Sequence, residues 1–184
     1  MHCYSGALLS GIIGYNTQWF KIFANGTAHM VWGSLTANPR EVEMASVKAR
    51  LLTGTYVLQA NRARFNQYEV NPTCTICKEE PENRLHFILR CKQLDDNRRY
   101  QLNRIKQLLH DIYSPDIADA IIEDQNILLQ VILDCSHPSL QGLADNPPLE
   151  SLGTEIEPMS RSLCYGLHLR RAALYMESTS VTST

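Results

Sequence analysis

CTICKEEPENRLHFILRC, residues 74–91, constrains the chain more than any other stretch. It sets three cysteines and one histidine in the pattern Cys74-x2-Cys77-x8-His86-x4-Cys91. Two cysteines with two residues between them reach one metal ion from a single tight turn. The second pair must return from a short element, here the start of a helix. Three thiolates and one imidazole suit tetrahedral zinc, and soft sulfur donors disfavour magnesium or calcium. Four protein ligands close the coordination sphere, which predicts a structural ion rather than one that activates water. Such an ion supplies about 10–16 kcal/mol of apparent binding energy, enough to hold a loop with little core of its own. Phe87 then reads as a small core residue beneath the metal. The competing reading is three free cysteines beside an unrelated histidine. A redox role for Cys74-Thr75-Ile76-Cys77 lacks the strand-then-helix setting such motifs occupy.

The rest of the composition permits an ordinary core. Of 184 residues, 44% are hydrophobic and 20% charged, which does not fit a disordered chain. Six cysteines are too sparse for a disulfide scaffold, and Cys3, Cys135 and Cys164 stand apart, so a reducing, intracellular setting is expected. The N-terminal apolar run has no basic region before it and no clear cleavage site, which argues against a signal peptide. Asn25-Gly26-Thr27 matches the glycosylation pattern, a match that chance supplies often. No apolar run approaches the roughly 20 residues that span a bilayer, so no membrane partner is expected. The net charge of -2 disfavours a general nucleic-acid binder, but the charge is uneven. Residues 40–106 hold 13 of the 17 basic side chains and 8 of the 19 acidic ones, a local excess of +5.

The pattern along the chain predicts a mainly α-helical protein: a small zinc-knuckle module flanked by helices, with further C-terminal helices. Residues 1–37 are glycine-dotted and read as irregular, or as the remnant of an upstream domain. Residues 38–113 form the zinc-binding helical module. Its first helix, 38–52, starts at Asn38 as N-cap, with Pro39 next and Glu41 at the capping-box position. Val42, Ala45, Ala49 and Leu52 form the expected apolar stripe, and Gly54 ends it. A second helix is expected over 84–112. Residues 114–137 read as one amphipathic helix opened by Ser114-Pro115, and the proline-rich 138–158 as a linker. A C-terminal helix is expected over 159–176, and a disordered tail over 177–184.

Two further groups carry possible chemistry. Cys135 and His137, with Cys164 and His168 four residues apart on a helix, suggest a second metal site, against the simpler reading of a core thiol and a surface histidine. Arg62, Arg64, Arg84, Arg90, Lys92, Arg98, Arg99, Arg104 and Lys106 surround the knuckle. They read equally as a phosphate-binding set or as a solvated helix face in which Asp95 and Asp96 pair some of the charge.

The string LLTGTYVLQANRARFNQYEVNPTCTICKEEPENRLHFILRC resembles the zinc-binding segment that follows the polymerase domain in reverse transcriptases of non-long-terminal-repeat retrotransposons. ILDCS at 132–136 and SRSLCYGLHLRR at 160–171 also resemble the tails of such reading frames, so the likeness covers most of residues 38–175. The resemblance implies that Cys74, Cys77, His86 and Cys91 hold zinc and that the module binds RNA or DNA without sequence preference. It further implies a piece of such a polyprotein, or a host protein derived from one, for which an absent polymerase domain is a conceivable partner. No Tyr-x-Asp-Asp sequence is present, so no polymerase activity is expected. Related elements can carry a nuclease built on Pro-Asp and a later acidic-x-Lys. Pro115-Asp116 is present, but the last lysine is Lys106, so no endonuclease is expected either. The alternative to a nucleic-acid binder is a protein-interaction module or a non-functional remnant.

Overall fold

The structure, a computed structural model, describes residues 29–33, 35–36, 38–65, 69–144 and 146–180. The protein is mainly helical. Among the described residues the α-helices are α1 (Met30–Gly33), α2 (Pro39–Thr53), α3 (Gln59–Phe65), α4 (Asp95–Ile112), α5 (Pro115–Glu123), α6 (Gln125–Leu133) and α7 (Gly153–Ser180). No strand occurs among these residues; Thr73 and Pro81 form an isolated antiparallel bridge. The upstream reading of residues 1–37 falls mostly on 1–28, outside the described residues. The stretch that is described places Val31 of α1 in the core.

The long helix α7 is the spine. Both α2 and α4 pack along it, and α6 touches α7 and α2. Leu51, Leu58, Ile88, Ile105, Leu109, Ile132, Leu163 and Leu167 are wholly buried in one continuous core. Apolar burial of this kind, worth about 25 cal/mol per Å², is what orders these helices.

Helix α2 begins as its cap residues dictate. The Asn38 side chain accepts from the Arg40 N–H at 3.0 Å, and Pro39 follows. Glu41 reaches back to the N–H and hydroxyl of Thr36, both at 3.0 Å, rather than to the cap residue itself. Gly54 closes the helix at φ 75°, a left-handed conformation glycine adopts without a Cβ penalty. The buried face differs from the expected stripe. Val42 is exposed, whereas Lys48 is buried and bonds Glu157 of α7, which also faces Arg161. A lysine at an inward position is tolerated because a carboxylate from a distant helix meets it.

Three expected boundaries change. The single helix over 114–137 is two, because the Asp124 carboxylate accepts from the N–H groups of Asn126 and Ile127 and so caps α6 afresh. Ser114 opens α5 through its backbone carbonyl, with no side-chain cap. The expected linker 138–158 is folded. Short 3-10 turns at Pro138–Leu140 and Leu149–Leu152 bury Leu140, Leu149 and Leu152, and α7 starts at Gly153 with Pro158 inside it. Proline and polar composition mimicked a linker, while widely spaced apolar residues did the packing. Residues 177–180 of the expected tail continue α7, and 181–184 lie outside the described residues.

Candidate metal centre

The knuckle is built by backbone bonds that fold 72–82 back on itself. The Cys74 N–H donates to the Glu80 carbonyl at 2.8 Å, and the Glu82 N–H to the Pro72 carbonyl at 2.9 Å. Between them the Lys78 N–H returns to the Cys74 carbonyl at 2.9 Å. Lys78 takes φ 60°, a left-handed geometry uncommon for a side chain with a Cβ, and this closes the turn that carries Cys74 and Cys77.

The second pair comes from a π-helical turn, His86–Arg90, not from the start of a regular helix. Asn83 begins it: its side chain accepts from the His86 N–H and its carbonyl from the Phe87 N–H, both at 2.9 Å. The wider turn carries the Cys91 N–H to the His86 carbonyl at 2.8 Å. Cys91 then leaves helical geometry, at ψ 112°, before a 3-10 turn leads into α4. The expected helix over 84–112 is therefore interrupted at the residue whose thiol turns toward the knuckle.

These two pieces bring the predicted ligands together. The ligand atoms of Cys74, Cys77, His86 and Cys91 all lie within 4.8 Å of one another. The Cys77 Sγ and His86 Nε2 are 3.3 Å apart. Zinc–sulfur bonds of about 2.3 Å place tetrahedral ligands about 3.8 Å from each other, so these donors are at the spacing such an ion needs. Cys74, Cys91 and His86 are almost fully buried, and Cys77 is half-buried. The imidazole is also oriented. Its Nδ1 faces Glu80 at 3.5 Å and has no hydrogen-bond acceptor, leaving Nε2 toward the thiols.

Cys74 and Cys91 act on each other. A hydrogen bond from Cys91, aided by the N–H groups of Cys77 and Ile76, holds the Cys74 thiol well below the usual range although burial opposes this. Cys91 is pushed the other way by that same bond and by burial. The donor set, its burial and its closed geometry fit a structural zinc ion.

Beneath the site, Phe87 is buried and stacks on Tyr56, ring centres 5.4 Å apart. Sequence reasoning missed Glu82. It is 1% exposed, accepts from the Gln59 N–H at 2.9 Å at the head of α3, and holds Arg171 of α7 with two bonds of 2.7 and 2.9 Å. An acidic residue just past a Cys-x-x-Cys turn, paired with an arginine late in the chain, is a signal too distant to read from spacing.

The second metal site is not assembled. Among the described residues no other group gathers three potential ligands. His168 Nδ1 meets the Tyr56 hydroxyl at 2.7 Å, and His137 Nδ1 meets Ser139. Burial raises Cys135 to about 11 and Cys164 to about 12, which keeps both as thiols.

The basic residues divide. Arg62, Arg64, Arg90, Lys92, Arg99 and Arg104 are exposed. Three of them sit in surface ion pairs: Arg90 with Glu80 at 3.7 Å, Lys92 with Glu79 at 3.1 Å, and Arg99 with Asp96 at 3.0 Å. Arg104 lies over the Tyr100 ring. Arg84 is turned inward to the carbonyls of Leu51 and Leu52 at the end of α2. Arg98, placed among the phosphate contacts by sequence, is 4% exposed and bonded to the carbonyls of Leu89 and Cys91. Its guanidinium is thus withdrawn from any surface. Comparison with protein-family models, curated proteins and solved structures finds no match. No helix among the described residues is long and apolar enough to cross a membrane.

Proposed function

We propose that this chain is a non-catalytic, zinc-stabilised helical module that binds RNA or DNA, of the kind that accompanies a retroelement reverse transcriptase. The observation that carries the reading is the convergence of Cys74, Cys77, His86 and Cys91. Zinc is the metal that three thiolates and an imidazole select, and its role is to hold the knuckle against α2, α4 and α7. The nucleic-acid part rests on the sequence resemblance and on the exposed Arg62 and Arg64 of α3, Lys92 next to Cys91, and Arg99 and Arg104 of α4. Their ion pairs are no obstacle. Exposed pairs contribute about 0–1 kcal/mol and exchange readily for phosphate oxygens. The arginines and lysine have no companion set of side chains suited to reading base edges, so binding is sequence-tolerant.

Titration with single- and double-stranded RNA and DNA at two salt concentrations, with zinc and after chelation, tests this. With about three or four phosphates engaged, log K falls against log[salt] with a slope of about -2 to -4. Binding is lost on chelation. Absence of salt-sensitive binding to any of the four ligands removes the nucleic-acid reading and leaves the zinc claim standing. A protein-contact role is the second reading, favoured by Val57 at 63% and Phe65 at 76% exposure. Concentration-dependent self-association that Phe65→Ser abolishes would support it.

A further inference from the structure

Helix α4 buries an arginine in its first turns, where a charged side chain would ordinarily face water. Arg98 donates to the Leu89 carbonyl at 2.9 Å and to the Cys91 carbonyl at 2.6 Å. Asp95, more than half exposed, accepts from the same guanidinium. The Arg98 Nε–H is buried and finds no acceptor among the described residues. The two carbonyls end the π-helical turn that carries His86, and one of them belongs to a ligand. A divalent ion with three thiolates carries a net charge of -1, and a buried charge is costly unless it is paired. The Arg98 guanidinium is a cation bonded directly to the ligand-bearing backbone.

We propose that Arg98 is a positioning residue for the metal centre. It clamps the Cys91 and Leu89 carbonyls so that the Cys91 thiol faces the knuckle, and its charge balances the excess negative charge of the loaded site. The inference rests on the zinc reading above. An arginine suits this better than a lysine, because its planar fork reaches two carbonyls at once while the cation stays in place. Asp95, on the preceding turn of the same helix, holds the fork from its outer edge.

Zinc affinity of the full chain, measured by competition with a chromophoric chelator, tests this beside the urea midpoint of each protein. The set is the unaltered chain, Arg98→Gln, Arg98→Lys and Leu109→Ala. Leu109 is wholly buried toward the other end of α4, so its variant loses stability without touching the ligands. Loss of a residue that supports a ligand weakens metal affinity 10–100-fold, and that is the drop expected for Arg98→Gln. Arg98→Lys keeps the charge and loses the fork, and falls between. Both bind zinc more weakly than Leu109→Ala at an equal urea midpoint. Should Arg98→Gln not fold, Arg98→Lys against Leu109→Ala decides in the same way. Arg98 variants that fall on the Leu109→Ala relation between affinity and stability overturn the proposal, because the arginine then acts through the fold alone. No stoichiometric zinc in the unaltered chain overturns the metal reading instead.

Discussion

Cys91 and Cys164 are both buried thiols on the inside of a helical protein, yet their surroundings divide them. Cys91 meets a second thiol, a third close by, and an imidazole aimed at the same point. Cys164 meets a core in which burial raises it to about 12. A lone thiol in an apolar core has no companion donors with which to hold an ion, whereas Cys91 stands in a set of four whose ligand atoms lie within 4.8 Å of one another. Cys91→Ser therefore abolishes stoichiometric zinc and lowers the thermal midpoint. Cys164→Ala keeps one zinc per chain, with a stability cost of about 1 kcal/mol for lost packing. Metal analysis of the two purified variants separates them. Retention of zinc in Cys91→Ser, or its loss in Cys164→Ala, would mean the ion is held elsewhere.

The elements show which information was local. The ligand spacing, the Asn38 cap and the Gly54 stop depend on a few adjacent residues, and each could be read from the sequence. Lys48 could not, since its inward position makes sense only beside Glu157 on another helix. The same limit hid Glu82. Its carboxylate caps α3 through the Gln59 N–H and grips Arg171, whose guanidinium also lies over the rings of Tyr56 and Tyr175. Arg98 was misjudged for a related reason: in a basic stretch nothing distinguishes an arginine that turns inward to backbone carbonyls from one that faces water. The Glu82–Arg171 pair ties the metal loop to α7, with side-chain exposures of 1% and 16%. Arg171→Met leaves a buried carboxylate without its partner, and costs about 3–5 kcal/mol. Glu82→Gln with Arg171→Met recovers part of that loss, since a neutral amide still accepts from Gln59. Urea denaturation of the single and double variants measures the coupling, and additive losses would show that the pair does not act as a unit.

At the scale of the molecule, the question is whether the knuckle is an appendage or part of the helices' own core. Cys74, Phe87, Ile88, Cys91 and Leu94 belong to the same buried cluster as Leu51 of α2, Ile105 and Leu109 of α4, and Leu163 and Leu167 of α7. The Tyr56–Phe87 stack and the Glu82–Arg171 clasp cross between the loop and the helices. Domains are stable by only about 5–15 kcal/mol, and a structural zinc supplies about 10–16 kcal/mol of apparent binding energy. A zinc ion held there would thus contribute as much as the whole margin, and the shared cluster would pass its loss to the helices. Chelation is expected to melt the helices together with the loop. Far-ultraviolet circular dichroism followed during slow zinc removal, with a zinc indicator in the same cuvette, compares the two. Coincident curves fit one cooperative unit. Zinc release that is complete while the helical signal stays intact would make the knuckle a dispensable attachment to a core that α2, α4 and α7 hold by themselves.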